Sequence, residues 1–342
     1  MLIWITTVLL WLLQLLNGAS PCRAVINHET SFFYGYQVGD CCKNRNREAL
    51  PVPGKDFDVV EIEIARHDSN LLEASSDDRL FQSSDGGDTW KETTLEEIEK
   101  ILDPYSYGPH PSNPLVVYRF VEPLEPPWNP YLQRSNDGGR TWVRTSCLIK
   151  GTDKSAHIGH IHYHPADPDT VYAYAGLADA SDAFNGYYMS HDGGQTFAFI
   201  LSTNFATSYN FTISKSHPNV IYAVGLHGSL VKTVDGGSTW RPVGNNDLTK
   251  MIRQIVLDPV NPDIVYVVSG IASVKGVMKS ADGGNSWCLL DMGDKLNASV
   301  GSLALSPRDR NVFLVGTRRG LYRSKNDGCE WEKIAILDRL RK

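Results

Sequence analysis

The stretch SHDGGQTF (190–197) is a polar turn set between runs that read as strands. Glycine accepts the positive φ angles of tight turns, and aspartate hydrogen-bonds its own backbone, so Asp-Gly-Gly is turn chemistry. The same stretch recurs as SSDGGDTW (83–90), SNDGGRTW (135–142), TVDGGSTW (233–240), SADGGNSW (280–287) and a degenerate SKNDGCEW (324–331). Successive starts are 52, 55, 43, 47 and 44 residues apart. A turn returning at such intervals marks a repeat architecture rather than a catalytic loop. Asp85, Asp137, Asp192, Asp235 and Asp282 are therefore read as structural.

A second element precedes each box. It reads HPSNPLVVYRF (110–120), HPADPDTVYAYAG (164–176), HPNVIYAVG (217–225), DPVNPDIVYVVSG (258–270) and SPRDRNVFLVGT (306–317), with a weaker RHDSNLLEASS (66–76). Each unit then gives an alternating strand, a Pro/Asp/Asn turn, a β-branched strand, a third strand ending in Ser or Thr, the Asp-Gly-Gly turn, and a fourth strand from Trp or Phe. Four strands per unit, radially repeated, predict an all-β fold, a β-propeller of six or seven four-stranded blades.

The S-x-D-x-G-x-T-W hairpins resemble the Asp-box (BNR) repeats of sialidases, sortilin-type receptors, oligoxyloglucan-specific cellobiohydrolases and the photosystem II stability/assembly factors. The resemblance covers about residues 58–342 and is specific for fold. It implies little about activity, because the box recurs in enzymes, receptors and assembly factors alike.

The 342 residues, 42% hydrophobic, suffice for one propeller with a sizeable core. A net charge of −6 without a basic run argues against nucleic acid as a partner. Residues 1–20, MLIWITTVLLWLLQLLNGAS, match a signal peptide in length and are short for a membrane span. The usual basic residues before the apolar run are missing, so an uncleaved anchor, and with it a membrane association, is the alternative. Six cysteines (Cys22, Cys41, Cys42, Cys147, Cys288, Cys329) fit an oxidising, secreted setting, and none forms a CxxC pair. Residues 25–57 lie outside the repeat and are expected to add a closing strand or part of a seventh blade. A monomer is expected. Residues 93–103, TTLEEIEKILD, read as a short helix with a capping box. Asn210-Phe-Thr and Asn297-Ala-Ser are glycosylation sequons.

Propeller geometry puts the turn after each first strand on the Asp-box face, and the loops joining strands two and three on the opposite face. The longest of those loops carry Glu122 and Trp128, and Asp179, Asp182 and Tyr187. Aligning the innermost strands puts Glu61, Ser106, His160, Asn210, Gln254 and Ser302 in one register, with Glu63 and His162 two positions on. That polar ring should line one channel mouth, with Arg253 one residue earlier. Glu61, His160, Asn210, Gln254, Arg253, Trp128 and Tyr187 are thus the candidate ligand-binding residues. His160, His162 and Glu61 are the residues that could hold a metal ion, and no other cofactor is expected. His164 matches His110, Asp258 and Ser306 of other repeats and is read as a turn residue.

Two functions from different classes follow. A secreted propeller could bind a glycan, peptide or protein at the channel mouth opposite the boxes. Alternatively it could be a glycoside hydrolase, whose carboxylate pair would come from Glu61, Glu63, Glu122, Asp179 and Asp182. A metal-dependent enzyme at the channel is a third reading. A typical sialidase is disfavoured, since no Arg-Ile-Pro-type motif precedes Ser83 and the inner strands supply only Arg253.

Overall fold

The computed structural model describes residues 39–40, 61–64, 71–75, 80–93, 106–121, 131–151, 157–176, 185–203, 210–225, 228–244, 252–270, 275–293, 297, 300–306 and 308–334. These residues form six antiparallel blades in a ring, each built from four consecutive strands. Blade 1 runs from Glu61–Ile64 to Lys91–Thr93 and blade 6 from Val300–Leu305 to Glu332–Lys333. Among the described residues, ring closure therefore involves no exchange of strands between first and last blades. Gly39–Asp40, the described part of the segment expected to add a closing strand or part of a seventh blade, pairs in parallel with the outer strand of blade 5, Gly39 opposite Cys288. Leu148–Ile149 extends blade 3 in the same way. The predicted helix at 93–103 lies almost wholly outside the described residues.

Each box builds the same hairpin. In blade 3, Ser190 Oγ donates to Asp192 (2.8 Å), and Asp192 accepts the Thr196 amide (2.8 Å) and hydroxyl (2.6 Å). Both glycines adopt positive φ, 69° and 86°. In the degenerate sixth box Asp327 occupies the first glycine position at φ 59°. There Asn326 accepts the Glu330 amide (2.8 Å), and its side-chain NH₂ donates to the Glu330 carboxylate (3.1 Å). The acceptor and donor have exchanged places, so the hairpin survives the double substitution.

These hydrogen bonds couple the boxes to pH. Burial alone would raise Asp85, but bonds from Thr89 and Ser83 outweigh it and hold its pKa at about 2. Asp235, more open to solvent, is held at about 2 by the Thr233 and Thr239 hydroxyls and the Thr239 amide. Asp137 is held well below the ordinary value by the same pattern from Thr141 and Ser135. Because the folded pKa lies below the unfolded value near 3.9, the bonds add stability above about pH 4. That stability is lost as pH falls through the folded values. The melting temperature should be flat from about pH 5 upward and fall steeply between about pH 4 and 2. A flat profile down to pH 2 would contradict this account of the boxes.

The blades are joined by a repeated latch. In four of the six boxes the residue before the Ser or Thr is a base that reaches an acid of the next blade around the ring: Arg134 to Asp169 (2.6 Å), Lys232 to Asp263 (2.8 Å), and Lys279 to Asp327. Arg323 closes the ring onto Asp88 of blade 1. Three of these cations also lie over the tyrosine of the neighbouring strand, Tyr118, Tyr222 and Tyr266, at 5.1 to 5.7 Å. The core is correspondingly inter-blade. Phe197 packs with blade 2 residues, Trp287 with blade 4, Trp331 with blade 5 and Trp90 with blade 6. Cys288 and Cys329 are each in a disulfide, and Cys147 is a buried free thiol.

Candidate functional site

The innermost strand of a blade has one edge facing the channel, and its backbone groups need partners. The polar ring supplies them. Asn210 Nδ2 donates to the Ile252 carbonyl of blade 5 (3.0 Å). Gln254 Oε1 accepts the Leu303 amide of blade 6 (2.7 Å), and Arg253 Nη1 donates to the Val300 carbonyl (3.1 Å). Inner strands bulge between Ile158 and His160, Ile252 and Gln254, and Val300 and Ser302, at or beside the ring positions. Cross-strand pairing confirms the register: Glu61 faces Ser75, His160 faces Tyr174, Gln254 faces Val268 and Ser302 faces Gly316. The alignment was right, but Asn210, Gln254 and Arg253 use their polar atoms to hold blades together.

The histidines divide by role. His160 and His162 stack edge to face, centroids 4.8 Å apart, and His162 packs on Phe211 of blade 4 at 5.1 Å. His164 Nδ1 accepts the Ala166 and Asp167 amides, as the turn reading required. Tyr187 is fully buried against Phe211 and Tyr174, inside the blade 3–4 core, where no ligand at the channel mouth can touch it. Glu61 and Glu63 stand on the inner strand of blade 1, and only their register positions are described. Glu122, Trp128, Asp179 and Asp182 lie outside the described residues. Among the described residues no three His, Cys, Asp or Glu side chains converge as a metal site requires. The sequon asparagines are also committed: Asn297, buried, donates to Asp291 (2.7 Å) and accepts the Met292 amide (3.0 Å).

A cavity of 630 Å³ opens between blades 4, 5 and 6. It runs from Gln254 of the ring past Val256 and Leu257 to the turns that follow the inner strands. That is the Asp-box end of the channel, whereas the sequence placed the ligand at the other mouth, whose long loops lie largely outside the described residues. Its rim carries Lys215, Arg308 and Arg310. Its carboxylate, Asp258, is 3% exposed and caps its own turn, accepting the Val260 (2.9 Å) and Asn261 (2.8 Å) amides. The three bases went unnoticed in sequence because they sit in separate turns, SKSHP and SPRDR. Only the ring brings them together.

Comparison with known proteins follows the same lines. A family model described as Sortilin-Vps10 (sortilin, neurotensin receptor 3) matches residues 78–227. The match covers less than half of the chain and agrees with the six Asp-box blades closing a ring. The chain resembles the Asp-box propellers of the sialidase and sortilin-like type. Xyloglucanase Xgh74A of Acetivibrio thermocellus is 27% identical over 140 residues, which cover 35% of this chain and 17% of that protein. An ancestral GH74 enzyme superposes with a TM-score of 0.51 at 19% identity, over 85% of this chain and 40% of that one. YCF48 bound to D1 peptide aligns at a TM-score of 0.44 and 18% identity, over 85% of this propeller and 86% of that chain. The propeller thus spans less than a fifth of the curated xyloglucanase it matches.

Proposed function

We propose that this propeller is a binding module of an extracytoplasmic compartment, holding its ligand at the channel without chemistry on it. The observation that carries the reading is the single carboxylate of the described cavity. Glycoside hydrolysis needs two carboxyl groups facing across the scissile bond, and Asp258 is alone there and committed to its turn. Asn210 Nδ2 and Gln254 Oε1 of the ring are likewise committed to backbone partners. Bonded Cys288 and Cys329 and the leader-like residues 1–20 support an oxidising compartment reached by secretion.

A second reading is a glycoside hydrolase working at the opposite mouth, with Glu61, Glu63, Glu122, Asp179 and Asp182 as candidate carboxylates. The local similarity to xyloglucanases supports it. Incubation with xyloglucan and a panel of other polysaccharides separates the two. The binding reading expects no release of reducing ends above the level of a Glu61→Gln/Glu63→Gln variant. Release by the wild type that the variant abolishes would establish the hydrolase instead.

A further inference from the structure

We propose that the basic end of the channel, framed by Lys215, Arg308 and Arg310, docks an acidic peptide segment in which carboxylates alternate with aliphatic side chains. The proposal rests on the binding-module reading and names its ligand. Charge is the first argument. Three cations face one carboxylate, and Asp258 reaches only Arg310, at 3.9 Å. Among the described residues Lys215 has no acidic partner. The mouth therefore carries surplus positive charge on a chain whose net charge is −6, so the attraction for an anion is local to this site.

Preorganisation is the second argument. Arg308 donates from Nη2 to the Ser84 carbonyl of blade 1 (2.6 Å), which occupies one of its five N–H donors and holds the guanidinium at the rim. A fixed guanidinium with donors to spare suits a carboxylate better than a mobile ammonium does.

The walls choose between peptide and sugar. They are aliphatic, with Ile213, Leu257 and Leu305 inside and Val260, 61% exposed, at the lip. Among the described residues no aromatic ring lines the cavity, so they offer no platform on which a sugar face could stack. Leucine- or valine-sized side chains fill such walls, with acidic neighbours directed to the rim.

The test is an array of random heptapeptides, acetylated and amidated so that side chains supply every carboxylate. The wild type should enrich peptides with two or more Asp or Glu interleaved with aliphatic residues, and binding should weaken with added salt. Lys215→Gln/Arg310→Gln should weaken the selected peptides by roughly two- to five-fold for each cation removed, at unchanged melting temperature. Arg318→Gln/Arg319→Gln, in the turn on the opposite face of blade 6, should leave binding unchanged. Absence of acidic enrichment, or enrichment untouched by the Lys215→Gln/Arg310→Gln variant, overturns the proposal. So does preferential binding of oligogalacturonate over the peptides, which would replace the ligand class while the binding-module reading stands. That reading fails separately, through the polysaccharide assay.

Discussion

Arg323→Ala is expected to destabilise the propeller by about 2–3 kcal/mol, far more than loss of an exposed surface arginine. Arg323 is 12% exposed and lies at the one boundary where the ring must close between chain ends. It donates to the Gly87 carbonyl (3.2 Å), reaches Asp88, and pairs with Glu332 at 2.7 Å. Removing it leaves the Gly87 carbonyl with the Trp90 indole N–H (3.1 Å) as its donor, and takes a latch from the blade 6–1 seam. Among the described residues no exchanged strand compensates. Both acids are more than half exposed, which limits the ion-pair share, so the figure falls below that for a fully buried pair. Urea unfolding should show the loss, and hydrogen exchange should show it concentrated in blades 1 and 6. Arg241→Ala, on the exposed outer strand of blade 4, is the comparison. Equal losses for the two variants would refute the closing role.

Gly284→Ala should cost about 3 kcal/mol or more, whereas Gly139→Ala, at the same place in another box, should cost only about 1. Both glycines adopt the left-handed region, φ 93° and 88°, so both substitutions carry backbone strain. They differ in what a Cβ would meet. At Gly284 it would lie 1.9 Å from Val243 Cγ1 of blade 4. At Gly139 the nearest atom is 3.4 Å away, on Trp142 of the same box. Gly87 against Leu314 and Gly328 against Leu290 repeat the first case, at 2.8 Å. The second box glycine thus serves the seam between blades as well as the turn. Chemical unfolding of the two variants side by side would measure the difference, and similar losses would reduce the box to turn chemistry.

The hairpin was legible in the sequence because every interaction that builds it is local. Asp192 binds residues two before it and up to four after it, so a fixed spacing of Ser, Asp, Gly and Thr carries all the information. The repeat of that spacing, with period-2 strands between, left six or seven blades open and set the inner-strand register, and the structure shows six blades. Even His164 could be recognised as a turn residue, by its place in the repeat. Chemistry at the channel was not legible in this way. A polar residue at a ring position looks the same whether it meets a ligand or the next blade's backbone. That Asn210 holds Ile252, and Gln254 Leu303, depends on strands 42 and 49 residues apart lying edge to edge. Tyr187 read as a loop aromatic because alternation along a strand does not say which face the neighbouring blade covers. Lys215 and Arg310 are separated by nearly a hundred residues and share a cavity only because blades 4, 5 and 6 are consecutive around one axis. The blade is specified by short-range spacing in the chain; what each channel residue touches is specified by the ring.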